Sequence, residues 1–355
     1  MQRGDVALID KWARAEAALT VGANIVIELP TPYVLQSAEG FAHAATYLLH
    51  NLGVDAISFG SECGDIQALQ RVAAAILTPQ FEALLSEKLR KFMPFAAARQ
   101  CVVESIGEAG HLLSHPNNNL GVEYCKALLR HGSDIVPMTV LREGVLHPNP
   151  ESPAQYGYAK ECASSTELRE AFRCDDLNCF YANIPASIHG IVMQRLEYPG
   201  AASIDRLELA MLASFRTKEP DDFRCVPDVS VELAERICNA VRVSTSLSEV
   251  IDSAHSHRYT KSRVRRVLLR RFLGLTDNCV SALPSYARVL AFDDIGRTFL
   301  RKHTSVSRFP VFTKAARHPS ELLLEAQLTD IYMLSVEHPQ PCGLEFRKSP
   351  VYKKT

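Results

Sequence analysis

Residues 24–60, NIVIELPTPYVLQSAEGFAHAATYLLHNLGVDAISFG, contain the pattern that decides the fold class. Residues 24–29 form a short β-branched run that Pro30 stops, as expected of a buried strand. Phe41, Ala44 and Leu48 then recur at helical spacing, and residues 56–59 form a second strand-like run. Strand, helix and strand in this order predict a parallel βαβ unit, and therefore an α/β fold.

Two residues follow strand-like runs at positions where α/β sheets bind ligands, beyond the carboxyl ends of the strands. Gly60 follows the second run, and Arg142 follows a third run at residues 134–141, whose Pro137 favours an edge strand. A backbone without a side chain lets a nucleotide approach closely, and a guanidinium can hold a phosphate. The alternatives that need no ligand are a plain turn glycine and a surface ion-pair arginine.

Two polar stretches are also typical of phosphate binding. Residues 116–119, PNNN, form an Asn-rich loop that runs into a helix ending near residue 130, and residues 163–169, ASSTELR, open another helix. Unpaired N–H groups at a helix N-terminus attract anions. Local capping is the simpler explanation for each stretch, since Ser164 and Glu167 have the spacing of a capping box.

The composition indicates a soluble globular protein with two domains. The chain has 355 residues, of which 47% are hydrophobic and 22% charged, and its net charge is -1. This balance gives no overall nucleic-acid signature, so any RNA contact must be local. Neither a signal peptide nor an apolar run of membrane-spanning length is evident, and we expect no membrane association.

The ten cysteines are scattered, and the two closest, Cys174 and Cys179, are five positions apart. This spacing predicts reduced thiols in a cytoplasmic protein, and neither a disulfide framework nor a metal site.

Beyond residue 183, strand-like runs give way to helical patterns, which predict a first domain at residues 1–183 and an all-α second domain at residues 184–355. From Arg258 to Arg271 there are seven basic residues and no acidic one. On a helix, Arg263, Arg266 and Arg270 share one side, opposite Val264, Leu268 and Phe272. We predict contact with an RNA phosphate backbone here, and the alternative is an ordinary solvated face.

Twelve motifs in this order resemble the tRNA(Met) cytidine acetate ligase family, over essentially the whole chain. They are QRG (2–4), DKWARA (10–15), VIELP (26–30), QSAE (36–39), FGSE (59–62), PNN (116–118), LGVEY (120–124), ASSTELR (163–169), VPDV (226–229), RYT (258–260), SRVRR (262–266) and GLEF (343–346).

The resemblance implies a Rossmann-like nucleotidyltransferase domain followed by a helical tRNA-binding domain. It implies a ligase that forms acetyl-adenylate from ATP and acetate, with Mg²⁺ and without a tightly bound cofactor, and then acetylates N4 of the wobble cytidine of elongator tRNA(Met). Carried over by position, the implied ATP-binding residues are Gly60, Asn117, Arg142, Ser164, Ser165, Thr166 and Arg169. The implied tRNA-binding residues are Arg258, Lys261, Arg263, Arg266 and Arg270.

The family also has a strand and a His-x-Gly-His motif before its Gln-Arg-Gly, and none of the twelve histidines here forms that motif. We therefore expect the first domain to be incomplete at its N-terminus, and the catalytic histidines stay unassigned. Two alternatives follow: a catalytically inactive tRNA-binding protein of this family, and an adenylyltransferase that acts on a small metabolite.

Overall fold

The computed structural model describes residues 4–91, 93–142, 165–306 and 309–354. The chain divides into two compact units: the first unit comprises Met1–Leu52 and Gly190–Thr355, and the second unit is Gly53–His189. This division differs from a single boundary at residue 183, because the N-terminal residues share a sheet with a strand near residue 290. Sequence reasoning pairs neighbours along the chain and has no signal for so distant a partner.

The described strands and helices are numbered along the chain. The strands are β1 (Ile25–Glu28), β2 (Ala56–Ser61), β3 (Val136–Leu141), β4 (Ala287–Asp293), β5 (Val311–Phe312) and β6 (Val351–Lys353). The helices are α1 (Lys11–Thr20), α2 (Thr31–Val34), α3 (Ala38–Asn51), α4 (Ile66–Ile76), α5 (Pro79–Arg90), α6 (Phe95–Ser105), α7 (Pro116–His131), α8 (Ser165–Arg173), α9 (Leu177–Ala182), α10 (His189–Glu197), α11 (Glu208–Arg216), α12 (Pro220–Arg224), α13 (Val231–Val243), α14 (Leu247–Ala254), α15 (Lys261–Phe272), α16 (Asp294–Val306), α17 (Leu323–Tyr332) and α18 (Leu344–Arg347).

The first unit is built around a sheet in the order β1-β4-β5, with β6 also paired to β4. β1 is antiparallel to β4, whereas β5 and β6 are parallel to it. Residues 184–355 thus contain three strands, and the prediction of an all-α second domain is wrong. β4 was missed because both of its faces are buried, so its sequence lacks the apolar–polar alternation of a half-exposed strand.

The second unit holds the two-stranded parallel sheet β2-β3. β1 and β2 therefore lie in different sheets, and the prediction that they are neighbours in one βαβ unit is wrong for the described strands. The individual elements were placed correctly: β1, α3 and β2 follow one another as predicted, and β3 contains Pro137. The Asn-rich stretch was not, since Pro116 already begins α7 and the asparagines form its first turn.

Each unit has its own apolar core. In the first unit, Trp12, Phe215, Ile237 and Leu268 belong to one large buried cluster. In the second unit, residues of α4, α6 and α7, such as Leu69, Val102 and Val122, form a smaller one. The β2-β3 sheet packs on this smaller cluster through Phe59.

A buried ion network lies beside β1 in the first unit. Lys11 Nζ contacts Glu28 Oε1 at 2.6 Å and Glu345 Oε2 at 2.8 Å, and Arg288 Nη1 contacts Glu345 Oε1 at 2.8 Å. Glu325 accepts hydrogen bonds from the amide and the hydroxyl of Thr31 at 2.6 and 2.8 Å. The network borders a cavity of about 420 Å³.

Glu325 has an unusual protonation equilibrium within this network. Its burial and the neighbouring Glu28 raise the pKa of its carboxyl from 4.5 to about 7. Burial alone would lower the pKa of Lys11. The neighbouring Glu28, Glu345 and Glu325 outweigh that effect, and the pKa of Lys11 is raised. Three carboxylates and two cations leave one excess negative charge, which a proton on Glu325 removes.

We expect Glu325→Gln to change how stability depends on pH. Between about pH 4.5 and 7 the folded chain keeps a proton that the unfolded chain has lost, so ionisation of Glu325 lowers the unfolding free energy as pH rises. Glutamine has no such ionisation. We therefore expect the urea midpoint of the variant to increase relative to that of the wild type when both are measured at pH 5, 6, 7 and 8. A difference that stays constant with pH would contradict a raised pKa for Glu325.

The nine cysteines in the described ranges are free thiols. Among the described residues, His, Cys, Asp and Glu side chains form no group of three or more that could hold a metal ion. None of the described helices combines the length and the apolar character needed to cross a membrane.

Candidate functional site

The carboxyl ends of β2 and β3 lie side by side in the second unit. Gly60 is opposite Val140 in the parallel register, and the amide of Arg142 donates to the carbonyl of Ser61 at 2.9 Å. A Cβ on residue 60 would lie 3.0 Å from Cγ of Arg142 and 3.3 Å from its Cδ. The missing side chain at Gly60 therefore leaves room for the stem of Arg142 to cross the strand end.

Helix α7 brings its N-terminus to the same strand end. The helix can lie close to β2 because Gly121 has no side chain. A Cβ at this position would be only 2.6 Å from the Phe59 ring. The carboxylate of Glu62 accepts hydrogen bonds from the Asn117 amide at 3.1 Å, the Asn117 side chain at 2.7 Å and the Asn118 amide at 2.7 Å. In return, Asn118 Oδ1 accepts from the amides of Glu62 and Cys63 at 2.9 and 3.0 Å.

These reciprocal hydrogen bonds fix both the geometry and the charge of the site. Partial burial would raise the pKa of Glu62, but hydrogen bonds from the Asn117 side chain and the two helix amides outweigh it and hold that pKa below 4.5. Glu62 is therefore ionised at neutral pH, and its charge is balanced by the positive end of α7. The helix N-terminus that the sequence suggested as an anion site already binds this carboxylate.

Asn117 links the helix to Arg142. Arg142 Nη1 donates to Asn117 Oδ1 at 3.2 Å, and the guanidinium is exposed. Gly60, Asn117 and Arg142, three of the seven residues predicted to bind ATP, thus meet at one edge of the sheet. We call this group, together with Glu62 and Asn118, the strand-end cluster.

The other predicted ATP-binding residues belong to the stretch around α8. Ser164 lies outside the described residues, and Ser165 is the first residue of the helix. Thr166 is exposed and Arg169 is half-buried on its first turns. Among the described hydrogen bonds and ion pairs, none joins Thr166 or Arg169 to the strand-end cluster.

The predicted basic segment forms α15 in the first unit, with Thr260 capping the helix by accepting from the Arg263 amide at 3.3 Å. Val264 and Leu268 are buried as predicted. Arg270, however, is only 2% exposed, and its guanidinium donates to the carbonyl of Pro227 at 2.9 Å. Arg270 was predicted to contact RNA, with an ordinary solvated face as the alternative. Both interpretations need an exposed side chain, and α15 instead packs this cation into the protein.

Burial also changes the titration of this arginine. It lowers the pKa of Arg270 to about 10 although Asp228 lies 3.6 Å away and raises it, and burial lowers the pKa of Arg266 as well. Both guanidinium groups remain charged at neutral pH. Arg263 joins the same group by donating to the carbonyl of Asp228.

The solvent-facing cations of the segment are different residues. Arg258 is exposed and pairs with Glu232 at 2.8 Å, and Lys261 is exposed and pairs with Asp252 at 2.6 Å. Arg265, which was not among the predicted tRNA-binding residues, is exposed on the same helix. Ion pairs between exposed side chains contribute little free energy, so these cations can exchange partners.

Sequence reasoning missed Glu62, Asn118 and Arg265. The first two stand in quoted motifs, FGSE and PNN, but only their pairing in space shows that each caps the backbone of the other. Arg265 also stands in a quoted motif, SRVRR, but its position in that motif does not mark it as more exposed than Arg266.

Comparison with known proteins agrees with this architecture. The profile of the HIGH Nucleotidyl Transferase family matches residues 1–343. A tRNA(Met) cytidine acetate ligase of Caldanaerobacter subterraneus subsp. tengcongensis is 32% identical, over 98% of this chain and 88% of the relative. The enzyme of that name from Alkaliphilus metalliredigens is 33% identical, over 95% of this chain and 85% of the relative.

The crystal structure of Thermotoga maritima TmcAL bound with alpha-thio ATP is similar over the whole chain. It superimposes with a TM-score of 0.89 at 28% identity and covers 100% of this chain and 90% of that one. The predicted α/β nucleotidyltransferase-like fold class is thereby confirmed. The family match, the curated relatives and the shared fold agree, and the chain belongs to the HIGH nucleotidyl transferase family and, within it, to the tRNA(Met) cytidine acetate ligases.

Proposed function

We propose that this chain binds ATP at the strand-end cluster and uses it, with acetate, to acetylate N4 of the wobble cytidine of elongator tRNA(Met) in the cytoplasm. The convergence of Gly60, Asn117 and Arg142 beyond two parallel strands carries the proposal. The names of the relatives and the nucleotide bound by the Thermotoga maritima protein support it.

The electrostatics of the cluster suit a polyphosphate. The guanidinium of Arg142 is exposed and has five N–H donors, of which the contact with Asn117 uses one. The carboxylate of Glu62 accepts hydrogen bonds from two amides of α7, and the positive helix end balances part of its charge, so it opposes an incoming phosphate less. Asn117 holds the guanidinium in place, which leaves its remaining donors directed at a bound anion.

In the proposed reaction, an acetate oxygen attacks the α-phosphorus of ATP, the bond to the β-phosphate oxygen breaks, and pyrophosphate leaves. The N4 amine of cytidine then attacks the acetyl carbon, AMP departs, and the amine loses a proton. Both steps depend on positioning and on charge stabilisation, which Arg142 can supply. We propose that Ser164, Ser165, Thr166 and Arg169 make a second phosphate contact and that Mg²⁺ accompanies the nucleotide.

For the RNA we propose the exposed cations of α15 and of the residues just before it. Arg258 and Lys261, with Arg265, present three positive charges to solvent, and Arg263 and Arg266 lie half-buried beside them. Arg270 takes a structural role, since it is fully enclosed.

The function is tested by incubating the chain with ATP, labelled acetate and elongator tRNA(Met), and by analysing nucleosides after digestion. We expect N4-acetylcytidine that requires both ATP and acetate and disappears when the wobble cytidine is replaced by uridine. Binding of tRNA without acetylation would instead indicate the non-catalytic tRNA-binding protein. ATP turnover that ignores tRNA would indicate the small-metabolite adenylyltransferase.

The RNA surface yields a separate prediction. Replacing Arg258, Lys261 and Arg265 together by alanine should weaken tRNA binding and reduce the slope of log affinity against log salt by about 2 to 3, since each lost phosphate contact releases about one fewer counterion. Replacing Lys88, Arg90 and Lys91 on the second unit removes the same charge and serves as control. Equal slopes for the wild type and this triple variant, the α15 variant, would contradict the proposal that these three cations contact RNA phosphates.

A further inference from the structure

Three aromatic rings stack in a ladder that ends at the surface of the first unit. The Tyr286 and Phe312 ring centroids are 5.0 Å apart with an interplanar angle of 19°, and those of Phe312 and His318 are 3.7 Å apart at 12°. Phe312 is 7% exposed, whereas the His318 side chain is 32% exposed. Phe312 stacks on one face of the imidazole, so the ring surface that remains for a ligand is the opposite face and the edge.

The backbone holds this imidazole in a fixed place. Ala315–Arg317 forms a single 3-10 turn, and the His318 amide donates to the carbonyl of Ala315 at 2.9 Å. The carbonyl of His318 accepts from the amide of Leu322 at 3.1 Å. Since Ala315 and Leu322 are buried with Phe312 in one small apolar cluster, the backbone on both sides of His318 is anchored.

Two cations lie next to His318 along the chain. Lys314 precedes the turn and Arg317 ends it, both are exposed, and the side chain of neither forms a hydrogen bond or ion pair with the other residues that the structure describes. The neighbouring acid, Glu321, has its Oε1 3.9 Å from Nδ1 of His318, at the limit of an ion pair, so its described contact is with a ring nitrogen.

We propose that His318, Lys314 and Arg317 form a binding site for an unpaired nucleotide of RNA, with the base stacked on the outer face of the imidazole and the adjoining phosphates on the two cations. The proposal rests on the proposed tRNA binding and adds a contact beyond α15. Proteins bind single-stranded RNA by stacking bases on aromatic side chains, including histidine, beside positive charges that follow the backbone. A base inside a duplex already stacks on its neighbours, so an unpaired nucleotide fits this site best.

The test compares His318→Ala with His318→Phe, which keeps a flat ring. Affinities are measured for a tRNA(Met) transcript, an eight-nucleotide oligoadenylate and an RNA duplex of the same length. We expect His318→Ala to weaken binding of the transcript and the oligoadenylate about tenfold, and His318→Phe to stay within twofold of the wild type. Duplex binding should not distinguish the two variants.

Lys314→Ala combined with Arg317→Ala should weaken oligoadenylate binding and its salt dependence, while Lys88→Ala with Arg90→Ala should not. Equal affinities for the two His318 variants would overturn the stacking site, and thermal unfolding of each variant separates that outcome from loss of structure. If the wild type fails to bind tRNA, the proposed function itself fails. If the wild type binds, the α15 variant weakens binding and His318→Ala does not, only the stacking site fails.

Discussion

The Arg142→Ala variant should bind ATP about 10- to 100-fold more weakly than the wild type, because hydrogen bonds to a charged group contribute roughly 1.5 to 3 kcal/mol. Arg142 is exposed, its stem lies over Gly60, and its guanidinium makes one described hydrogen bond, to Asn117, so its removal should leave the fold intact. Arg142→Lys keeps the charge but loses the planar pair of donors, and we expect an intermediate affinity. Isothermal titration calorimetry measures the ATP affinity of the wild type and of both variants.

Two controls make this result specific. Arg90→Ala removes another exposed arginine of the second unit and should leave ATP affinity unchanged. Asn118→Ala should destabilise the junction of β2 and α7, since Asn118 holds two backbone amides, and hydrogen exchange at Glu62 and Cys63 would report that loss. An ATP affinity for Arg142→Ala equal to that of the wild type would place the nucleotide elsewhere.

The second large effect concerns stability. Glu345→Ala should lower the unfolding free energy by about 3 to 5 kcal/mol, a large part of the roughly 5 to 15 kcal/mol typical of a folded protein. Glu345 is completely buried and contacts Lys11, Arg288 and the hydroxyl of Thr329. Its removal leaves Arg288, which is 1% exposed, without its carboxylate. Urea denaturation followed by circular dichroism measures the loss.

The matched control is Glu87→Ala. Glu87 also forms a salt bridge, with Lys91 at 2.6 Å, but both side chains are exposed, and such pairs contribute little to stability. If the two variants unfold at the same urea concentration, burial does not decide the strength of these ion pairs, and the network beside β1 is not a major source of stability.

Local structure could be predicted from the sequence because its causes are local. Asp10 precedes α1 and caps it by accepting from the amides of Trp12 and Ala13, and the β-branched run at residues 24–29 does form β1. The helical spacing that predicted Val264 and Leu268 as buried also holds, because one stripe of α15 must pack against the core.

Pairing between distant segments could not be predicted in this way. Ile25 lies opposite Phe292, and nothing near either residue indicates the other. The same limit explains Arg270: its sequence neighbours suggest a solvated cation, but Pro227 and Asp228 supply a carbonyl and a carboxylate from another segment. Glu62 is a third case, since a carboxylate that caps a helix 55 positions away resembles any surface glutamate.

The pairing of β1 with β4 and β6 has a consequence for how the chain is made. β1 emerges from the ribosome long before Ala287–Asp293, the strand with which it pairs, and Val351–Lys353 joins that strand later still. Gly53–His189 forms a compact unit of its own and emerges before residue 287. We therefore expect this middle segment to fold first, while β1 stays unpaired and open to wrong partners until β4 has been made.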